Sequence, residues 1–185
     1  MQSKMLCGAY GVCLFVFLLV VANSRAADLP PLTHNLAAVE NPPAAPPLRL
    51  KNMDDEIVDI KDMRGQVIVL NFWATWCPPC RREMSSLERL HLATADKGVL
   101  ILAVNIGEDE ETVFSFMGVI DAAPTFPVLL DPDSHSLEQW KVQGLPTTYI
   151  IDQNGRVAYR AVGGREFDHP DIIKQVVGLH KKPQN

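Results

Sequence analysis

The stretch "NFWATWCPPC", Asn71 to Cys80, sets two cysteines two residues apart directly behind an apolar run. The run itself, "VIVLNFW" from Val67 to Trp73, is apolar at alternate and intervening positions alike. That pattern predicts a central strand covered on both faces. Pro78 and Pro79 then suit the first turn of a helix, where backbone N–H groups have no intrahelical partner. Met84, Leu87, Leu90 and His91 carry the helix to about Ala95, and Gly98 ends it. The two sulfurs therefore stand where a buried strand hands over to a helix.

Working outward, strands and helices alternate. "VLILAVNI" (Val99 to Ile106) reads as a second buried strand, and "GEDEETVFSFM" as a helix whose acidic start complements its dipole. "FPVLLD" is a short strand and "SHSLEQWKV" a short helix stopped by Gly144. "TTYIID" and "RVAYRAV" are strands joined by the turn signal "QNG", and "DHPDIIKQVVGLH" is a closing helix. Upstream, "LRL" and "IVDI" flank the polar turn "KNMDDE" as an entry hairpin. The expectation is an α/β domain over residues 48–182, with a mixed sheet covered by helices on both faces.

Ahead of the domain, residues 1–26 read as a targeting segment. Lys4 is the only early charge, and Gly8 to Ala22 carries none. This is a secretory signal by pattern, and its length also meets the lower limit of a membrane anchor. Cleavage and retention both stay open, and both place the domain across a membrane. Residues 27–47, "LPPLTHNLAAVENPPAAPP" and its flanks, are rich in Pro and Ala and read as an extended linker, the tether if the anchor is retained.

Composition narrows the function. The chain of 185 residues carries a net charge of -5 and no basic cluster, so nucleic acid is not an expected partner. Cys7 and Cys13 lie in the targeting segment, which leaves Cys77 and Cys80 as the cysteines of the exported domain. A bridge between them closes too small a loop to stabilise the fold much. A C-x-x-C pair between a strand and a helix start is instead the setting of a redox dithiol. Cys77 falls at the helix N-terminus, where free N–H groups and the dipole favour a thiolate, and Cys80 lies a turn further in. Cys77 is the expected nucleophile and Cys80 the resolving thiol.

"FWATWCPPC" followed by "GLPTTYIID" resembles the thioredoxin superfamily, and from about Leu48 to Leu179 the chain is similar to its TlpA/ResA-like group, the type that serves cytochrome c maturation. The resemblance implies a thioredoxin-like sheet with an N-terminal hairpin and a central strand-helix insertion. It makes Pro146 the cis-proline facing the dithiol, with Leu145 and Thr147 beside it on the substrate-facing loop. Trp76, Pro78 and Pro79 would complete the partner-docking rim. Where thioredoxin has a buried aspartate before the dithiol, this chain has Asn71, which cannot move a proton. "VNIGEDEET" resembles a segment whose glutamate lies under the active site, which implies that Glu108 handles the proton of Cys80. The plain alternative is that Glu108 is an exposed acid at a helix start, like Asp109 and Glu110.

Pro78 and Pro79 remove N–H groups that could stabilise the Cys77 thiolate, which favours a reductant; Arg81 and Arg82 push the other way if they are not simply solvated. The implied activity is reduction of disulfides in exported proteins, with apocytochrome c or copper-assembly proteins as substrates and a membrane-embedded thiol as electron donor. No cofactor and no resident metal are expected. Two other readings are an oxidase or isomerase, and a Cu(I)-binding module. The last has only Met84 as a further ligand, because His91, His135, His169 and His180 show no ligand spacing and read as surface residues. Trp73 reads as core and Trp140 as packing.

Overall fold

A computed structural model describes residues 31–120 and 123–180. The targeting segment read in residues 1–26 lies outside them. Strand β4 (Val67–Trp73) is buried throughout and sits between β5 (Val99–Ile106), which it pairs in parallel, and β7 (Thr147–Ile151), which runs antiparallel. With β1 (Ala37–Ala38), β2 (Arg49–Asn52), β3 (Ile57–Asp59), β6 (Val128–Asp131) and β8 (Val157–Val162), the described residues form one mixed sheet in the order β1-β8-β7-β4-β5-β6-β2-β3.

The period of two along β4 divides the core. Val67, Val69 and Trp73 face α1 (Pro78–Thr94) and α4 (Pro170–Gly178), packing with Leu87, Phe167 and Ile172. Ile68, Leu70 and Phe72 face the other side, where Trp140 and Tyr149 close a second cluster. Trp73 and Trp140 are both core, as the sequence predicts. Between β5 and β7 the chain inserts α2 (Glu110–Met117), β6 and α3 (His135–Gln139). Asp109 caps α2 by accepting from Thr112 N at 2.8 Å, which is why the acidic run starts a helix there.

Both hairpins are held by polar turns. Asn52 Oδ1 accepts from Asp54 N and Glu56 N in the entry hairpin, which joins the sheet through β6. Asp152 Oδ1 accepts from Asn154 N and Arg156 N before Gly155, whose φ of 71° suits a residue without a side chain.

The Pro/Ala-rich stretch read as a linker differs from that reading. It is extended, yet it lies along the edge of β8 as a strap. Ala37 and Ala38 pair with Arg160 and Tyr159, Val39 N donates to Ala158 O, and Ala45 N donates to Gly155 O, both at 2.9 Å. Edge strands offer unpaired N–H and C=O groups, and a Pro-rich segment covers them without presenting a new row of donors to solvent. The folded unit therefore begins upstream of Leu48. Among the described residues, no helix is long and apolar enough to cross a membrane.

Candidate functional site

The dithiol hangs from the end of β4. The chain leaves Trp73, turns through Ala74, Thr75 and Trp76, and enters α1 with Cys77 as N-cap and the two prolines in its first turn. Cys77 and Cys80 are joined by a disulfide. The Cys77 sulfur accepts from Cys80 N at 3.3 Å. Pro78 and Pro79 have no N–H to offer it. Cys77 is 3% exposed and Cys80 is fully buried, so an incoming sulfur meets Cys77 first.

Around this pair stands an apolar rim. Trp76 is 66% exposed. Together with Leu145, Leu137 and Val142 it lines a cleft of about 410 Å³. The Leu145–Pro146 bond is cis. Pro78 is exposed, Pro79 and Leu145 are half-buried, and Pro146 is buried. Thr147 does not reach the rim: it is buried at the start of β7, and its hydroxyl donates to Gly144 O at 2.7 Å, holding the loop from beneath. Arg81 lies over the Phe116 ring, 5.4 Å from its centre. A separate cleft of about 430 Å³ lies at the other end of β4, beside Ile68 and Ile151, away from the sulfurs.

Two carboxylates serve the site from different sides. Glu108 is half-buried and turned toward the β4–α1 turn, where it accepts from Thr75 N at 2.7 Å, from the Thr75 hydroxyl, and from Asn105 Nδ2 at 2.7 Å. It is not the solvated helix acid of the plain alternative, and its contacts fix the turn that carries Trp76 and Cys77.

The second carboxylate, Glu83, was not singled out by the sequence. It lies three residues beyond Cys80 on α1, hence on the same helix face, and is fully buried. Its oxygens accept from Asn71 Nδ2 at 2.8 Å and from Arg165 N at 2.9 Å. Burial pushes its pKa up to about 8, while the Arg165 backbone bond, the Asn71 amide and the Arg165 charge pull in the opposite direction. The acid missing from β4 at Asn71 thus enters from the helix instead. A signal for it was present: a charged residue at i+3 from Cys80, next to the Met84 and Leu87 stripe that faces the core.

One loop ties these parts together. Gly163 N donates to Pro146 O at 2.8 Å, Arg165 N to Glu83, and Phe167 N to the Ser86 hydroxyl at 3.1 Å. Gly164 sits where a side chain would meet both Leu32 of the strap and the Pro79 carbonyl. The strap grips the same loop, since Glu166 N donates to Thr33 O at 2.7 Å and Arg165 Nε to Asn35 O at 2.8 Å.

Comparison with known proteins accords with this geometry. Residues 43–160, more than half of the chain, match the model of the AhpC/TSA family. The chain belongs to that family. Among AhpC/TSA relatives, the thiol-disulfide oxidoreductase ResA of Bacillus subtilis (strain 168) is 35% identical over 134 residues, covering 70% of this chain and 74% of the relative. ResA of Oceanobacillus iheyensis is 36% identical over 129 residues, covering 68% of this chain and 66% of its own length, so the matched part spans about two thirds of that relative. The structure of a thiol:disulfide interchange protein of the thioredoxin family from Chlorobium tepidum TLS superposes with a TM-score of 0.64 at 26% identity, over 76% of this chain and 100% of that one. The fold is thioredoxin-like, and the cysteine pair of this AhpC/TSA member sits at the strand-to-helix junction that the sequence predicts.

Proposed function

We propose that the protein is an extracytoplasmic thiol-disulfide oxidoreductase that reduces disulfides of selected exported proteins. The observation that carries the direction is the single backbone donor, Cys80 N, that α1 offers the Cys77 sulfur, because Pro78 and Pro79 supply none. A thiolate with few donors gains little stability from staying reduced, so the pair gives electrons away readily.

In the reduced enzyme the Cys77 thiolate attacks one sulfur of the partner's disulfide. A Cys77–partner bond forms, the partner's S–S bond breaks, and its other sulfur leaves as a thiolate. Glu83, in its ionised form, then takes the proton of Cys80, and Cys80 attacks the Cys77 sulfur. The internal disulfide forms and the partner's second thiolate departs, so two electrons have moved to the partner. Burial raises the Glu83 carboxyl to about 8, which brings it out of the ordinary carboxylate range and toward that of thiols and suits it to exchange a proton with Cys80. In this reading Glu83, not Glu108, takes the proton, and Glu108 is a positioning residue for the Thr75 to Cys77 turn. Trp76 and Leu145 form the apolar lip on which the partner docks.

The oxidised pair is re-reduced by a membrane-embedded dithiol. Supporting this, Leu32 lies against the loop at Pro79, and the nine residues from Asn23 to Pro31 span at most about 30 Å. An apolar N-terminal segment kept in the membrane would hold the dithiol end of the domain near the bilayer. Apocytochrome c and copper-assembly proteins are the substrate classes in view.

The test is Cys80→Ser expressed in the exported compartment. Capture of one or two defined proteins on Cys77, with the wild-type pair largely reduced in cells, is expected. A broad mixture of captured proteins together with a largely oxidised wild-type pair would reverse the direction and make the protein an oxidase or isomerase.

A further inference from the structure

Two of the histidines scattered along the sequence meet in the fold. His34, on the strap, stacks on His169, the N-cap of α4, with ring centres 3.9 Å apart and planes inclined by 17°. Asp171 joins them, and one potential ligand atom from each residue lies within 4.8 Å of the other two. We propose that His34, His169 and Asp171 bind a divalent transition-metal ion of the Zn²⁺ and Cu²⁺ class, and that the ion fastens the strap to the start of α4.

The donor set fits that class. Two imidazoles and one carboxylate suit zinc or copper(II), and leave a fourth position to water. Ligand atoms around a tetrahedral ion stand about 3.3 Å apart when bonds are 2.0–2.1 Å. His34 and Asp171 are exposed and His169 is half-buried, so side-chain rotation at the surface can close the remaining gap. His169 Nδ1 accepts from Asp171 N at 3.2 Å, so its lone pair faces the start of α4 beside Asp171. The ion replaces that capping bond with a metal bond. Two charges work against a cation here: the positive end of the α4 dipole, and Lys174, which lines the adjoining cleft. The Asp171 carboxylate, 3.6 Å from His169 Nδ1, offsets them.

The backbone explains why the three residues meet. Thr33 and Asn35 are each held to the 163–166 loop by hydrogen bonds, which fixes His34 between them. An ion bound to His34 and α4 would lock the strap at a point next to the loop that touches Pro79 and Glu83.

The experiment uses the full chain without a histidine tag, with Cys77 and Cys80 oxidised and the remaining thiols alkylated so that no thiolate competes. ZnCl₂ and CuCl₂ are titrated by calorimetry, and amide hydrogen exchange is followed at Val39 and Ala45. One ion per chain is expected with a Kd below about 100 µM, Cu²⁺ binding more tightly than Zn²⁺. Exchange at both amides should slow on loading. His34→Phe keeps a ring for the stack, and His169→Asn keeps a capping acceptor, so both fold. Each should weaken binding at least about tenfold. Absence of one-to-one binding, or equal binding by both variants, overturns the site. Tight binding with unchanged strap exchange overturns the fastening.

Discussion

Replacing Glu83 by Gln removes one titrating group from the core and leaves its shape. The Glu83 carboxyl has a pKa near 8 in the folded protein against 4.5 ordinarily, with burial as the leading cause. Between those values the folded chain holds a proton that the unfolded chain has released. The Glu83 contribution to stability therefore falls as pH rises through that window, and is flat below about 4.5 and above about 8. Each pH unit contributes up to about 1.4 kcal/mol, so the window as a whole carries on the order of 2 to 5 kcal/mol. The variant lacks this slope. It should still fold, because the amide keeps one carbonyl oxygen to accept from Arg165 N, and a flip of the Asn71 amide turns its unpartnered Oδ1 toward the new NH2. The assay is urea unfolding of the oxidised wild type and Glu83→Gln from about pH 5 to about pH 9. Subtracting one curve from the other cancels every group that both proteins share. A difference that drops steadily toward about pH 8 and then levels is the expected result. Parallel curves across the whole range would refute the placement of Glu83 as a buried, proton-holding acid, and with it the proton transfer assigned to it.

Three further outcomes follow from the same contacts. Glu108→Ala leaves the Thr75 amide and the Asn105 side chain without their acceptor, and should cost about 1 to 3 kcal/mol in unfolding free energy and slow the attack of Cys77 on a model disulfide. A loss below about 0.5 kcal/mol with unchanged attack would remove Glu108 from its positioning role. In Gly164→Ala the added Cβ would stand 2.5 Å from Leu32 Cδ2, the end of a side chain that can rotate away, and 3.3 Å from the Pro79 carbonyl, which has to give; a loss of about 1 kcal/mol is expected, read by urea unfolding, with faster exchange at strap amides as Leu32 leaves its place. Arg89→Ala removes an exposed ion pair to Asp168, 2.6 Å long, and should cost less than about 1 kcal/mol, an effect that salt diminishes; a larger loss seen equally at high salt would mean that Arg89 matters through packing.

The parts of the fold that the sequence made legible are those governed by short-range rules. β4 and β5 were visible because both faces of a central strand are apolar, and α1 because a cap, two prolines and a stripe from Cys80 to Leu90 mark one helix. The β7–β8 hairpin was visible in its turn. What was hidden depends on chain segments that meet only in the fold. The strap has no periodicity of its own, because its partner is the edge of β8, more than a hundred residues away. His34 and His169 have no ligand spacing for the same reason. Thr147 looks like part of a substrate loop beside Pro146, yet β-strand alternation and pairing with Phe72 bury it.

Glu83 is the most instructive of these. A charged residue in a helix is read as solvated by default, and only the closing loop shows otherwise: Arg165 and Asn71 supply two N–H donors that a buried carboxyl needs. By sequence alone, Asn71 marks the loss of a proton carrier from β4. With Glu83 in place it becomes the group that holds the carrier, donating to Glu83 and to Thr148 Oγ1 at 2.9 Å. An aspartate at 71 would set two acids against each other in the same buried space, and at least one would have to stay protonated. The exchange of a strand acid for a helix acid is therefore a coupled change. Asn71→Asp alone should raise the Glu83 pKa further, and should recover toward the wild-type profile when combined with Glu83→Gln, which leaves one titrating acid at the Cys80 end of the core. A double variant whose pH dependence is no closer to wild type than that of Asn71→Asp would show that the two positions act independently.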